Sequence, residues 1–234
     1  MGSEVIADRW TPIILRELIM GGTRFNDIAR GLPGISRSLL TQRLRHLERK
    51  GVLERWPSTN GRGTEYRLTP AGKDLETVVM AMGRWAVEWL FHDMRPDDVD
   101  AVTLTWYMHH RVDVDNLPPG RVVIQFDHTR PHRQSIWLVL ERGTASVCRQ
   151  HPGFETDVLV TCPTDTLAEV FSGVRSWSQA VTGGVITVAG PPRFARAFPR
   201  WFLWSPFVNE VRVAARRADG AATGELTALV SPAS

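Results

Sequence analysis

Between Ser36 and Arg49 the chain gathers side chains suited to a nucleic-acid duplex. Ser38, Thr41 and Gln42 carry short or planar hydrogen-bonding groups, and Arg45 and Arg49 carry fixed positive charge. At about 100° per residue these fall on one side of a helix, Thr41 at its margin, opposite Leu40, Leu44 and Leu47. Hydroxyls and carboxamides match base edges, and guanidinium groups match phosphates. Ser36 and Thr23 each head a helix, where free backbone N–H groups suit a phosphate, and Arg37 and Arg24 follow them. Arg62 stands in Ser58-Thr59-Asn60-Gly61-Arg62-Gly63, a Gly-rich hairpin tip between two short strands, from which it could reach a minor groove or a flanking phosphate.

Other chemistries find little support. Cys148, His151 and Cys162 match no common zinc spacing, and a fourth ligand is not evident. His109-His110 and the pair His128 and His132 read as boundary or surface histidines. There is no phosphate-cradling glycine loop, no nucleophile elbow and no framed pair of carboxylates, so no cofactor, metal or catalysis is expected. Two cysteines in 234 residues do not make a disulfide framework. They read as buried thiols or as a reversible pair.

Charge is distributed unevenly. The whole chain carries a formal +3. From Arg24 to Arg67 the net is +6, whereas from Pro96 onward it is −1. Positive charge concentrated in one short segment is the footprint of a polyanion-binding module. Apolar residues make up 43% and charged residues 23%, ordinary for a soluble globular protein. No apolar run is long enough to span a bilayer, and residues 1–7 show neither a secretory nor a myristoylation pattern. The expected location is the cytoplasm, away from membranes.

The elements that must hold these groups follow from capping and periodicity. Thr11 as N-cap and Pro12 as first helical residue open a helix that Gly21-Gly22 stops, and a short helix from near Thr23 ends at Leu32-Pro33-Gly34. Ser36 caps a third helix that runs to about Lys50. Strands over Val52–Trp56 and Thr64–Leu68 flank the Gly-rich tip. Thr69-Pro70 then starts a long helix to about Leu90, with Val78, Met82, Trp85 and Trp89 on an apolar stripe that reads as a dimer seam. Met94-Arg95-Pro96-Asp97-Asp98 is a polar break, which divides the chain into 1–95 and 96–234. The second part reads as mixed α and β. It opens with a helix over Asp98–His110 and continues with strands near Val122–Asp127, Ser135–Glu141, Ala145–Cys148, Asp157–Thr161 and Val185–Ala189. A helix spans Thr164–Phe171, and a final one starts at Pro192.

Three helices and a hairpin in this order form a winged helix-turn-helix. The blocks Asp8-Arg9-Trp10-Thr11-Pro12, Arg24-Phe25-Asn26-Asp27-Ile28, Leu32-Pro33-Gly34-Ile35-Ser36, Leu39-Leu40-Thr41-Gln42-Arg43-Leu44 and Tyr66-Arg67-Leu68-Thr69-Pro70-Ala71-Gly72 resemble the HxlR family of bacterial transcription regulators over roughly the first 90 residues. The resemblance implies a homodimer that binds a palindromic double-stranded operator, with the long helix as dimer element. Many members carry a cysteine before the first helix; residues 1–7 here hold none, so no thiol switch is expected there.

The second part resembles the sterol-carrier-protein type of domain through Asp157-Val158-Leu159-Val160-Thr161, Phe171-Ser172-Gly173 and Val185-Ile186-Thr187-Val188-Ala189-Gly190. That implies a five-stranded sheet with helices on one side and a cavity for an apolar ligand. The whole chain is then an α+β protein, a winged helix-turn-helix domain followed by a sterol-carrier-like domain. Aromatic residues crowd the segment from Trp177 to Phe207. Trp137, Trp177, Phe194, Phe198 and Trp201 either line such a pocket, where an apolar small-molecule effector would sit, or build a core or dimer contact. The competing function is a lipid or small-ligand carrier whose winged helix serves only assembly. The charge partition speaks against it, because a carrier gains nothing from basic residues gathered at one helix and hairpin.

Overall fold

The computed structural model describes residues 2–58, 63–90, 100–141 and 144–217. The chain folds into two compact units, Met1–Met82 and Gly83–Ser234. The division falls inside the long helix, and the segment 94–98, where the sequence suggests a break, lies outside the described residues.

The first unit opens with α1 (Ser3–Ile6), α2 (Thr11–Ile19), α3 (Phe25–Arg30) and α4 (Arg37–Arg49). Thr11 does not cap α2 as expected. Asp8 does, accepting from the N–H groups of Trp10 and Thr11 and from the Thr11 hydroxyl. Burial opposes ionisation of Asp8. The Thr11 hydroxyl, the two N–H donors and the Arg43 charge outweigh that and hold its carboxyl below the usual carboxylate range. Ser36 caps α4 as its type suggests, accepting from the Leu39 N–H at 3.2 Å. Ile14, Leu15, Ile28, Leu40, Leu44 and Leu47 close the core, each at most 1% exposed.

Strands β1 (Leu53–Pro57) and β2 (Thr64–Leu68) pair antiparallel, Arg55 opposite Tyr66. Their base is fixed by the Thr69-Pro70-Ala71-Gly72 block. The Thr69 hydroxyl accepts from the Gly72 N–H at 3.1 Å and donates to the Gly51 carbonyl at 2.6 Å. Gly72 has no alternative, since a Cβ there would collide with the Val52 carbonyl oxygen. The block thus starts α5 (Pro70–Trp89) and docks it onto the turn that ends α4.

The second unit begins within α5. Gly83 leaves room for the Phe207 ring, which any Cβ would meet, and Glu88 pairs with Arg217 at 3.3 Å. Then come α6 (Ala101–His110), β3 (Val122–His128), β4 (Gln134–Glu141), β5 (Thr144–Cys148), β6 (Val158–Cys162), α7 (Thr164–Ser172), α8 (Trp177–Thr182), β7 (Thr187–Ala189), α9 (Pro192–Ala197) and α10 over 208–217. The sheet order is β5-β4-β3-β6-β7. Only the β3–β6 pairing is parallel. Strand alternation sends Ile124, Phe126, Leu138, Leu140, Val158 and Val160 to one face, where Leu104 and Met108 of α6 and Leu167 and Val170 of α7 pack on them.

Candidate nucleic-acid interface

The outward side of α4, with α3 and β1, forms a concave surface of about 980 Å³ lined by Phe25, Arg37, Ser38, Thr41, Gln42, Arg45, Glu48, Arg49 and Arg55. It holds four arginines and one carboxylate. Six of the ten expected DNA residues line it: Arg37, Ser38, Thr41, Gln42, Arg45 and Arg49. Gln42, Arg45 and Arg49 are exposed.

Local bonds set what each group can still do. Arg37 lies over the Phe25 ring, 4.8 Å from its centroid, and Nη2 donates to Asn26 Oδ1 at 3.2 Å. Its guanidinium is therefore held by Phe25 and Asn26 of α3. Thr41 donates its hydroxyl proton to the Arg37 carbonyl at 2.8 Å, so toward a base it offers lone pairs and a methyl group. Ser36 uses its hydroxyl in the cap and lies 3.1 Å from the Ser38 hydroxyl.

Thr23 and Arg24 are not brought to this surface. The Thr23 carbonyl accepts from the Tyr66 N–H at 2.7 Å, Arg24 forms a β-bridge with Glu65, and Arg24 Nη2 donates to Ser58 Oγ at 3.3 Å. Arg24 is the N-cap residue of α3, which starts near Thr23 as expected, but these bonds tie the two residues to the base of the hairpin. Arg62 lies outside the described residues, as do 59–61.

Three lining residues escape the sequence reading: Phe25, Glu48 and Arg55. Arg55 comes from the hairpin, and its Nε donates to Glu48 Oε1 at 2.8 Å. That bond and the Glu48 charge raise the affinity of Arg55 for its proton. The period of two along β1, with buried Leu53 pointing inward, is the available signal for Arg55.

On α5, Val78, Met82, Trp85 and Trp89 are 38%, 49%, 57% and 67% exposed. On a helical wheel they fall within about 60° of one another. A row of large apolar side chains this exposed is unusual for a solitary surface.

The five residues named for an apolar pocket are not brought together. Phe198 and Trp201 are fully buried. Trp177 stacks on Phe198 at 4.7 Å, and Phe194 meets Trp201 at 5.7 Å, so these four belong to one aromatic layer on the helical side of the sheet. Trp137 sits on the opposite face, where its indole N–H donates to Gln125 at 3.2 Å and its ring meets His151. Strand parity also separates the two thiols. Cys148 pairs with Trp137 on that opposite face, whereas Cys162 pairs with His128 on the core face. The two sulfurs cannot join in this fold, nor can Cys162 share a metal with Cys148 and His151. Among the described residues no group of three or more His, Cys, Asp or Glu is placed to hold a metal ion, and no helix is long and apolar enough to cross a membrane.

Residues 5–94 match the sequence profile of the HxlR-like helix-turn-helix family. YvaP of Bacillus subtilis, an HTH-type transcriptional regulator, is 37% identical over 89 residues, 37% of this chain and 82% of that protein. The chain belongs to the HxlR-like helix-turn-helix family. Rv3095 of Mycobacterium tuberculosis, of the same description, is 43% identical over 88 residues, 37% of this chain. The match spans only 55% of the mycobacterial protein's length. Among solved structures, the redox regulator HypR in its oxidized form is 35% identical over 36% of this chain and 89% of its own, with a TM-score of 0.35. Both relatives are described as HTH-type transcriptional regulators. Residues beyond 94 lie outside the family match.

Proposed function

We propose that the chain is a sequence-specific, double-stranded-DNA-binding transcription regulator that acts as a homodimer on a palindromic operator. One observation carries the reading: the concave surface of α4 sets arginine forks beside the hydrogen-bonding side chains of Ser38 and Gln42. The α4 N-terminal half supplies base-reading groups, and Arg45 and Arg49 supply phosphate contacts. The exposed stripe from Val78 to Trp89 supports a second copy docking along α5, which would set the spacing of two half-sites.

The second domain is read as sterol-carrier-like, and an apolar small molecule there would bias the dimer. Within its core, Trp201 Nε1 has no acceptor among the described residues, and a ligand carbonyl or carboxylate would satisfy it. Such a cavity would draw on Trp177, Phe194, Phe198 and Trp201 but not on Trp137. A medium-chain fatty acid that left both melting temperature and DNA affinity unchanged would remove this part of the reading.

Titration with duplex fragments at several salt concentrations tests the main reading. Binding should weaken steeply with salt, the log–log slope gaining roughly 0.9 per phosphate contacted. Sedimentation should show a dimer that Trp85→Glu dissociates, weakening self-association by about 2 kcal/mol or more. A chain that binds no duplex at low salt, or that stays monomeric at the concentrations where it binds, contradicts the proposal.

A further inference from the structure

We infer that Arg55 is a phosphate-gripping residue of the DNA surface and that Glu48 is the residue that positions it. The inference rests on the DNA-binding reading above. It concerns a strand residue and a carboxylate that helix-face reasoning does not select.

Arg55 stands on β1, yet it lines the same concavity as Arg37, Arg45 and Arg49 of α4. Its side chain is 52% exposed, so it is free to meet a ligand. The bond from Nε to Glu48 Oε1, at 2.8 Å, uses one of the five guanidinium N–H groups. Both terminal nitrogens remain, and they are the pair that grips a phosphate bidentately.

Glu48 is otherwise an anomaly. It puts a negative charge on a surface whose other charged lining residues are all arginines. Its carboxylate would repel a phosphate, and on charge alone its removal should tighten DNA binding. The geometry gives it a different task. A free arginine samples many rotamers, and ordering it costs affinity at the moment of binding. A half-exposed Glu48, itself fixed on α4, orders Arg55 in advance. The bond also ties β1 to the helix that enters the groove, so hairpin and helix grip the backbone in one register.

Two effects of opposite sign therefore meet at Glu48, and Arg55 tells them apart. The test uses the full chain and a duplex that the wild-type chain has enriched from a random pool, with an unselected duplex beside it. Arg55→Ala should weaken both about five- to tenfold and flatten the log–log salt slope by about 0.9. Glu48→Gln should weaken binding about two- to threefold while Arg55 is present, yet tighten it in the Arg55→Ala background. That reversal of sign is the expected signature. Arg55→Lys, which keeps charge without the fork, should recover the salt slope but not the dependence on Glu48. Unchanged thermal unfolding certifies each variant as folded. If Glu48→Gln tightens binding equally in both backgrounds, or if Arg55→Ala leaves the salt slope alone, the inference is overturned. A wild-type chain that enriches no duplex at all refutes the DNA-binding reading instead, so the two failures are distinct.

Discussion

The concave surface on α4 and the aromatic layer of the second domain use side chains in opposite ways. On α4, Gln42, Arg45 and Arg49 stay exposed and line the concave surface. In the aromatic layer, Phe198 and Trp201 are fully buried and meet each other and their neighbours Trp177 and Phe194. The first region contributes little to stability and keeps its interactions for a partner. The second builds the core of its own domain, and any ligand it takes would have to enter that core. Substitutions should therefore separate, with stability lost in one region and DNA binding lost in the other.

The largest effect is expected in the aromatic layer. Trp201→Ala removes a fully buried side chain that packs on Phe194 and Phe198. It should cost about 3–5 kcal/mol in denaturant unfolding of the second domain. Arg45→Ala, by contrast, should change unfolding by no more than about 0.5 kcal/mol. Equal losses from the two substitutions would erase the distinction.

Next in size is a pH effect, also in the second domain. His128 is 2% exposed, with Nδ1 3.0 Å from the Thr164 hydroxyl. Burial drives its pKa down to about 4, against the opposing pull of Asp127 and Asp100. The unfolded chain takes up this proton near 6.5 and the folded chain only near 4. Stability is therefore complete above the unfolded value and falls as pH drops through the window between the two. The loss amounts to about 3 kcal/mol. Urea midpoints at pH 7.5 and 4.5 should differ by correspondingly less in His128→Asn. An unchanged difference would show that other groups set the acid limit.

A smaller effect should appear on α4, and only in binding. Gln42→Ala should cost about 1–3 kcal/mol against a selected duplex and little against an unselected one. Its melting temperature should match that of the wild-type chain. A loss shared equally by both duplexes would make Gln42 a backbone contact and move base reading elsewhere on the helix.

How much of this is legible in the sequence depends on how local each signal is. Ser36, the Leu40–Leu44–Leu47 stripe and Thr69-Pro70 are local, and α4, both hairpin strands and α5 lie where they indicate. Helix α8 escapes notice although Ser176 and Gln179 form a capping box, since its six residues carry too short a period. Phe25 and Arg55 reach the surface from α3 and β1, a convergence that helical spacing along α4 cannot show. Thr23 and Arg24 have the look of a helix start, and α3 does begin after them, whereas the long-range bridge to Glu65, which no local signal shows, ties them to the hairpin. Residue type alone groups Trp137 with the other aromatics. The alternation Ile136, Leu138, Leu140 puts it on the other face.

That same alternation underlies the smallest expected effect, one of reactivity rather than stability. Cys162 is fully buried on the core face, and burial, with Asp127 and Asp165 nearby, pushes its thiol up to about 12. Almost none of it is thiolate near neutral pH, and reagents cannot reach it. Cys148 is half-buried on edge strand β5 and faces the other side. A maleimide should therefore label one thiol per folded chain, at Cys148, and two after unfolding. Oxidants should produce no intrachain bridge. Labelling of Cys162 in the folded chain at a rate near that of Cys148 would mean that the core face opens readily, and the contrast between a committed interior and a reserved surface would fail on its interior side.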